Sequence, residues 1–310
     1  MDEKYEIMNL LQVKQNLTKE LNNLVYGSIE IRENSSNRYI YVHYREDGIL
    51  LTKYVGEYSD ELHNLILNNT IRAKELKKEI KKIEKQLKKL NYINEELSPE
   101  IKKNIDFAKR HLVDNIYNQA ILEGVATTFE DTENIIEGGK INNMSSEDVL
   151  KIVNLKHAWE FILNKNVILS DTNFPLLCEI NKFVEEGFYY NAGKLRSVPV
   201  SIGGTKWAPE LPIESIIKED IQNIFNMKIN DIDKAIELLL YVMKKQIFID
   251  GNKRTSIIFA NHYLISKGQG IIAIPANLTN EYKKLLINYY EGNYSTEIKK
   301  FLKEKCFIQI

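Results

Sequence analysis

The sequence predicts a mainly α-helical protein that begins with a small α+β module. Three observations carry this expectation. Apolar positions step by four and three without a break through residues 60–91. Residues 28–55 alternate and are rich in β-branched and aromatic side chains. From Ser98-Pro99 onward, runs with helical spacing recur between short breaks as far as residue 304.

The elements follow in order. Residues 5–25 read as a helix. Ser28 to Arg32, Tyr39 to Tyr44 and Ile49 to Val55 then read as three strands of an antiparallel meander, with a turn at Glu46-Asp47-Gly48. Tyr39, Tyr41 and Tyr44 fit cross-strand packing better than a ligand-stacking face. The seam of Leu62, Ile66, Asn69, Ala73, Leu76, Ile80, Ile83, Leu87 and Leu90 spans about four heptads, which predicts a long coiled-coil-like helix. Such a helix pairs with another segment of the chain or, through residues 62–90, with a second copy.

Between Arg72 and Lys89 that helix carries a local charge of +6, and the remainder carries −7, since the whole chain sums to −1. A basic arm of this kind can bind nucleic acid. With no aromatic or Arg-rich readers interleaved, a solvated helix face is the expected reading, and neither a nucleic-acid nor a membrane partner is expected. Pro99 breaks the helix and puts a domain boundary near residue 95: an N-terminal module over 1–95 and a helical domain over 96–310.

In the second part, helices are expected at 100–123, 146–163, 171–186, 213–226, 231–247, 252–267 and 279–304. Thr127-x-x-Glu130 and Ser145-x-x-Asp148 are candidate capped starts. The Gly/Pro-punctuated stretch Gly193 to Pro212 reads as a short hairpin. Cys178 and Cys306 are far apart and lack ligand spacing, which fits a reducing cytoplasmic setting and excludes a zinc signature. The polar start is not a signal peptide, and the densest apolar run, Ala235 to Met243, is too short to span a membrane.

Chemistry concentrates at Gln246-Ile247-Phe248-Ile249-Asp250-Gly251-Asn252-Lys253-Arg254, where one helix runs in and another runs out. The first turn of a helix offers free N–H groups and the positive end of the dipole. Gly251 lets the backbone approach a ligand closely. The Asn252 side-chain amide can donate, and Lys253 and Arg254 add full positive charge. Together they make an anion hole suited to polyphosphate. Asp250 adds a hard oxygen that suits Mg²⁺ bridging phosphates. The plain alternative is a capped helix start with a solvated basic turn.

This segment resembles the signature of the Fic/Doc (Fido) family, His-x-Phe-x-Asp/Glu-Gly-Asn-Gly/Lys-Arg-x-x-Arg. Phe248, Asp250, Gly251, Asn252, Lys253 and Arg254 match it. Gly193 to Arg196, then Val200 to Gly204, then Trp207 to Pro212, are similar to the family's flap region, and Ile121-Leu122-Glu123-Gly124 resembles its inhibitory helix. The resemblance covers roughly 95–305. It implies a Fic-type helical bundle with a short β-hairpin flap. It implies ATP with its phosphates on Gly251, Asn252, Lys253 and Arg254, and Mg²⁺ on Asp250. It also implies a protein target held by flap residues Val200, Ile202 and Gly203, and a regulatory Glu123. In the family, the motif His deprotonates a target hydroxyl and AMP is transferred; Doc-like members transfer the γ-phosphate.

The sequence departs from the pattern at two decisive positions. Gln246 replaces the motif His, and a carboxamide has no usable basicity near neutral pH. Ile257 replaces the second Arg, so the usual γ-phosphate contact is lost, as is the usual partner of Glu123. Gln119 stands at the inhibitory motif's Ser/Thr position. Glu123 then reaches Arg254 instead, or merely ends a helix. Asp250 is the nearest remaining base but has a metal role, and His262 reads as a packed or surface histidine. Three readings stay open: a diverged nucleotidyl- or phosphotransferase with weak or absent His-type AMPylation; a nucleotide-binding pseudoenzyme acting through its N-terminal module; and an adaptor centred on the basic helix.

Overall fold

The structure is a computed structural model and describes residues 3–34, 37–46, 49–90, 92, 97–139, 144–292 and 295–310. It divides into two compact units, 1–93 and 94–310. No helix among the described residues is long and apolar enough to cross a membrane.

The first unit comprises α1 (Glu3–Asn23), β1 (Ser28–Asn34), β2 (Asn37–Glu46), β3 (Ile49–Glu57) and α2 (Asp60–Lys89). The strands form an antiparallel sheet in the order β1-β2-β3. The Asp47-Gly48 part of the expected turn lies outside the described residues. Alternation places Ile40 and Val42 on the face that packs against Ile66. Tyr41 and Tyr39 meet Tyr54 across the strands at 5.4 and 6.2 Å between ring centroids, and Arg32 lies over Tyr41. These contacts fit the cross-strand reading.

Ser59 caps α2 by accepting from Leu62 N. Along the heptad seam, Ile66, Ala73, Leu76, Ile83 and Leu87 are buried, and α1 packs against α2. Each fully buried aliphatic side chain of this kind stabilises by roughly 1.5–3 kcal/mol. Polar Asn69 fits the seam because its amide donates to Val25 O at 3.2 Å. Arg72 binds Glu20 and Lys14 binds Glu84, which fixes α1 antiparallel to α2.

The second unit is helical: α3 (Pro99–Arg110), α4 (Leu112–Leu122), α5 (Phe129–Glu137), α6 (Ser146–Ile162), α7 (Lys165–Ile168), α8 (Phe174–Val184), α9 (Glu214–Asn226), α10 (Asp231–Lys245), α11 (Asn252–Ser266), α12 (Thr279–Tyr290) and α13 (Ser295–Phe301). A two-stranded sheet pairs β4 (Ile271–Ile272) with β5 (Phe307–Ile308). Several local expectations are corrected. The helix expected over 100–123 breaks at His111, whose backbone is non-helical. The cap before α5 is Thr128 with Asp131, one residue later than Thr127 with Glu130, because the Thr128 and Asp131 side chains reciprocally take each other's N–H. Ser145 caps α6 as expected. The span 279–304 is two helices followed by a π turn over 302–306. The 193–212 segment forms turns and extended chain and contains no paired strand, so the hairpin is absent there.

Helix α11 is the axis of this unit. It packs against α3, α6, α7, α8, α10 and β4, and all its residues except Lys253 and Ser266 are buried. A helix surrounded on all sides must satisfy its polar side chains internally. Asn261 does so by pairing with Ile272 and Ile257 O, which ties β4 to the helix. His262 is fully buried between Thr172 Oγ1 (2.8 Å) and Val167 O (2.9 Å), and burial pushes its pKa down to about 4. It is a packed histidine with no route to a substrate.

Candidate functional site

The loop between α10 and α11 begins at Gln246, which has a left-handed backbone (φ 47°) and ends α10. Gly251 (φ 73°) turns the chain into α11. A Cβ there would lie 2.3 Å from Glu185 Oε1 in a conformation costly for any L side chain, so both the space and the φ require glycine. Thr255 N bonds Gly251 O, so α11 starts directly after the turn and its first N–H groups lack intrahelical acceptors.

Asn252 does not present its side-chain amide to a ligand. It is buried, donates to Phe248 O (2.8 Å) and Gln246 Oε1 (3.2 Å), and accepts from Phe248 N (3.0 Å). It closes the loop, leaving its backbone N–H as its contribution to an anion site. The Gln246 amide is held at both ends, since its Nε2 donates to Met243 O at 2.6 Å.

Arg254 is only 3% exposed. Its Nη2 lies 2.8 Å from Glu185 Oε1 and 3.8 Å from Asp250 Oδ1, and its Nε lies 3.9 Å from Glu123 Oε2. Lys253 Nζ is 3.4 Å from Glu123 Oε1. Thus Glu123 both ends α4, with left-handed Gly124 after it, and reaches the two cations of the loop. Among the described residues, Arg254 Nε and Nη1 have no hydrogen-bond partner, whereas Glu185 Oε1 and Glu123 Oε1 meet Arg254 and Lys253, respectively, as ion pairs. Burial pushes the Glu185 carboxyl up to about 7; Arg254 opposes the rise, and Asp250 and Glu123 add to it.

Asp250 is exposed, and its Oδ1 accepts from Gly251 N at 2.6 Å. No group of three His, Cys, Asp or Glu able to hold a metal occurs among the described residues. One exposed carboxylate suits Mg²⁺ only where a ligand's phosphates supply further oxygens.

Ile257 is buried beside Asn115, Gln119 and Trp159, less than one helical turn beyond Arg254. Both side-chain atoms of Gln119 lack partners among the described residues. No charge occupies this part of α11.

Three residues outside the signature also shape the site. Asn181 on α8 donates to Asp250 O and Thr255 Oγ1 and accepts from Gly193 N, bracing the loop and the start of the flap at once. Arg196 is buried and donates to Gln246 O, Val198 O, Pro209 O and Glu210 O. Trp207 Nε1 donates to Lys244 O. The flap therefore sits beside the loop, with Val200 and Ile202 half-buried and Gly203 exposed. Glu185 gives no sequence signal beyond being a charge that interrupts an apolar run; Arg196 stands out only within the Gly-x-x-Arg resemblance.

A buried guanidinium with two idle donors at a helix start, flanked by carboxylates and overhung by a braced irregular segment, marks this loop as the candidate functional site. Residues 171–264 match the family model of the Fic/DOC family. The chain has the fold of solved Fic-domain proteins. Fic-1 from C. elegans is 16% identical, with 78% of this chain and 79% of that one covered and a TM-score of 0.53. A Fic domain-containing signaling protein from Bacteroides thetaiotaomicron is 20% identical over 68% of this chain and 86% of that one, also at 0.53. A Fic family protein from Desulfovibrio desulfuricans is 13% identical over 68% and 73%, at 0.51. No curated protein matches the chain. Proteins of this family are typically nucleotide-using transferases.

Proposed function

We propose that the chain binds the phosphates of a nucleotide, ATP with Mg²⁺, on Asp250 to Arg254. It is a diverged AMP or phosphate transferase toward a protein hydroxyl, with His-type AMPylation weak or absent. The observation that carries this reading is Arg254, buried with two donors idle. Unsatisfied donors on a buried guanidinium are costly, and phosphate oxygens arriving at the α11 N-terminus would satisfy the two that Glu185 leaves open. Gly251 supplies the close backbone approach, and Lys253 and the amides of Asn252 to Arg254 supply further donors. When bound, Mg²⁺ would be held by Asp250 and would neutralise phosphate charge. Val200, Ile202 and Gly203 are the flap positions beside which a target segment would lie.

In transfer, a target hydroxyl attacks phosphorus. Pyrophosphate leaves if AMP is transferred, and ADP leaves if the γ-phosphate is. The hydroxyl proton must pass to a base, and Gln246 cannot take it. Its amide is also held by Met243 O and Asn252. That second observation favours a nucleotide-binding pseudoenzyme as the alternative.

Glu123 competes with phosphate for Lys253 and Arg254, so Glu123→Gln is expected to tighten nucleotide binding several-fold. The deciding test is calorimetric titration of ATP-Mg into wild type, Arg254→Ala and Lys253→Ala, with thermal melts beside each. Wild-type binding that both variants weaken by about tenfold or more supports the reading. No heat in wild type up to about a millimolar ATP, corresponding to a Kd weaker than that concentration, overturns it. Lys253→Ala keeps the test open where Arg254→Ala fails to fold.

A further inference from the structure

Helix α2 carries an arc of lysines that the first unit leaves without partners. From Arg72 to Lys89, its apolar residues point to one side and are buried against α1. At about 100° per residue, Lys74, Lys77, Lys78, Lys81, Lys82, Lys85, Lys88 and Lys89 fall within an arc about 140° wide on the opposite side. Every position in that arc is lysine; Glu75, Glu79 and Glu84 fall outside it. The arc runs for about 22 Å at 1.5 Å per residue.

None of the eight lysines pairs with a carboxylate among the described residues, whereas the neighbouring Lys14 and Arg72 do. Lys77 rests over the Tyr26 ring, 4.6 Å from its centre. Like charges at i and i+4, such as Lys74 with Lys78 and Lys81 with Lys85, oppose the helix. The apolar seam is already covered within the chain, so pairing with another helix does not account for this face. The unit therefore presents eight exposed lysines on one face of a preformed helix.

We propose that the lysine arc of α2 is a docking surface for the phosphate backbone of a nucleic acid duplex, bound without regard to sequence. Lysine contacts to phosphates release counterions and need neither aromatic readers nor arginine forks. The sequence-based expectation against nucleic acid rested on the absence of such readers, which sequence-independent binding does not require. An acidic protein is a poorer fit, since stable protein interfaces centre on buried apolar or aromatic anchors and the arc has none. A bilayer is also a poorer fit, because insertion needs an apolar face along the helix. The exposed Leu67 and Ile71 lie on this side but N-terminal to the arc, and the helix's other apolar face is buried. This inference is independent of the nucleotide site.

The test is fluorescence anisotropy of the full chain with labelled 20-base-pair duplexes of two unrelated sequences, read from 50 to 200 mM salt. The expected result is equal binding of both, with log K falling against log salt at a slope of about −4, the value for four to five phosphates. The variant Lys78→Gln/Lys81→Gln/Lys82→Gln/Lys85→Gln should weaken binding about 100-fold at low salt and flatten the slope. Glutamine is helix-compatible and these positions are exposed, so a thermal melt should be unchanged. Lys283→Gln/Lys284→Gln, in the other unit, should leave binding intact. No anisotropy change at 50 mM salt overturns the proposal, as does duplex binding that the fourfold variant retains. Co-sedimentation with phosphatidylserine vesicles without duplex binding also overturns it and assigns the arc to an anionic lipid surface.

Discussion

Helices α2 and α11 both carry basic residues, and they treat them in opposite ways. On α2 the lysines stand in water on the side away from an apolar seam. On α11 nearly every residue is buried, and Arg254 is enclosed with Glu185 and Glu123. A charge in water costs little and can be exchanged freely, whereas a charge in the interior binds its surroundings to its own chemistry. The first helix owes its stability to the seam and the second owes its purpose to its first turn.

The largest effect should come at that first turn. If the transferase reading is right, Gln246→His supplies the missing base and should raise transfer from labelled ATP by about 10²–10⁴-fold. The left-handed backbone at 246 accepts histidine more readily than most residues. An unchanged rate with nucleotide bound would leave the pseudoenzyme reading. Next, Leu76→Ala in the α2 seam should cost about 3 kcal/mol by denaturant titration, since Leu76 is fully buried. A cost under about 1 kcal/mol would show that the seam is not what holds the first unit.

A third test concerns pH. The Glu185 carboxyl is raised from 4.5 to about 7 in the folded chain, so the folded state holds a proton that the unfolded state has released. Stability from this group is therefore full below about 4.5 and is lost as pH rises through about 7. Glu185→Gln should flatten that decline in the pH dependence of the melting temperature. A parallel decline in the variant would assign it to other groups. The smallest effect should be Lys81→Ala, within about 0.5 kcal/mol of wild type, because the residue is exposed and unpaired. A larger loss would mean the α2 face carries structure as well as charge.

The same contrast explains what the sequence revealed. Helix α2 is half-buried, so its seam wrote a four-and-three rhythm that could be read directly, Asn69 included. The sheet was legible for the same reason, since one face is dry and the other wet. Helix α11 is buried on all sides, so its apolar positions mark no single face; its span over 252–267 was legible as a helical run, and the Asp250 to Arg254 turn marked its start. Within that turn, the glycine and the cations were legible by type. The use of the Asn252 amide was not, because a side chain that closes its own loop looks the same in sequence as one that offers itself to a ligand. Glu185 and Asn181 come from α8, far along the chain, and their roles depend on how α8 crosses α11. The flap was read as a hairpin because Val198, Val200 and Ile202 favour strands. Its order comes instead from Arg196, whose donors draw the chain into turns.

Arg196 deserves comparison with a bound metal ion. A calcium ion organises an irregular loop by collecting carbonyl oxygens around a fixed positive charge. Arg196 collects those of Val198, Pro209, Glu210 and Gln246 in the same way. Because this cation is tethered by the backbone, no chelator can strip it out and no change in ion supply can loosen the segment. The flap's shape is set when the chain is made and travels with it.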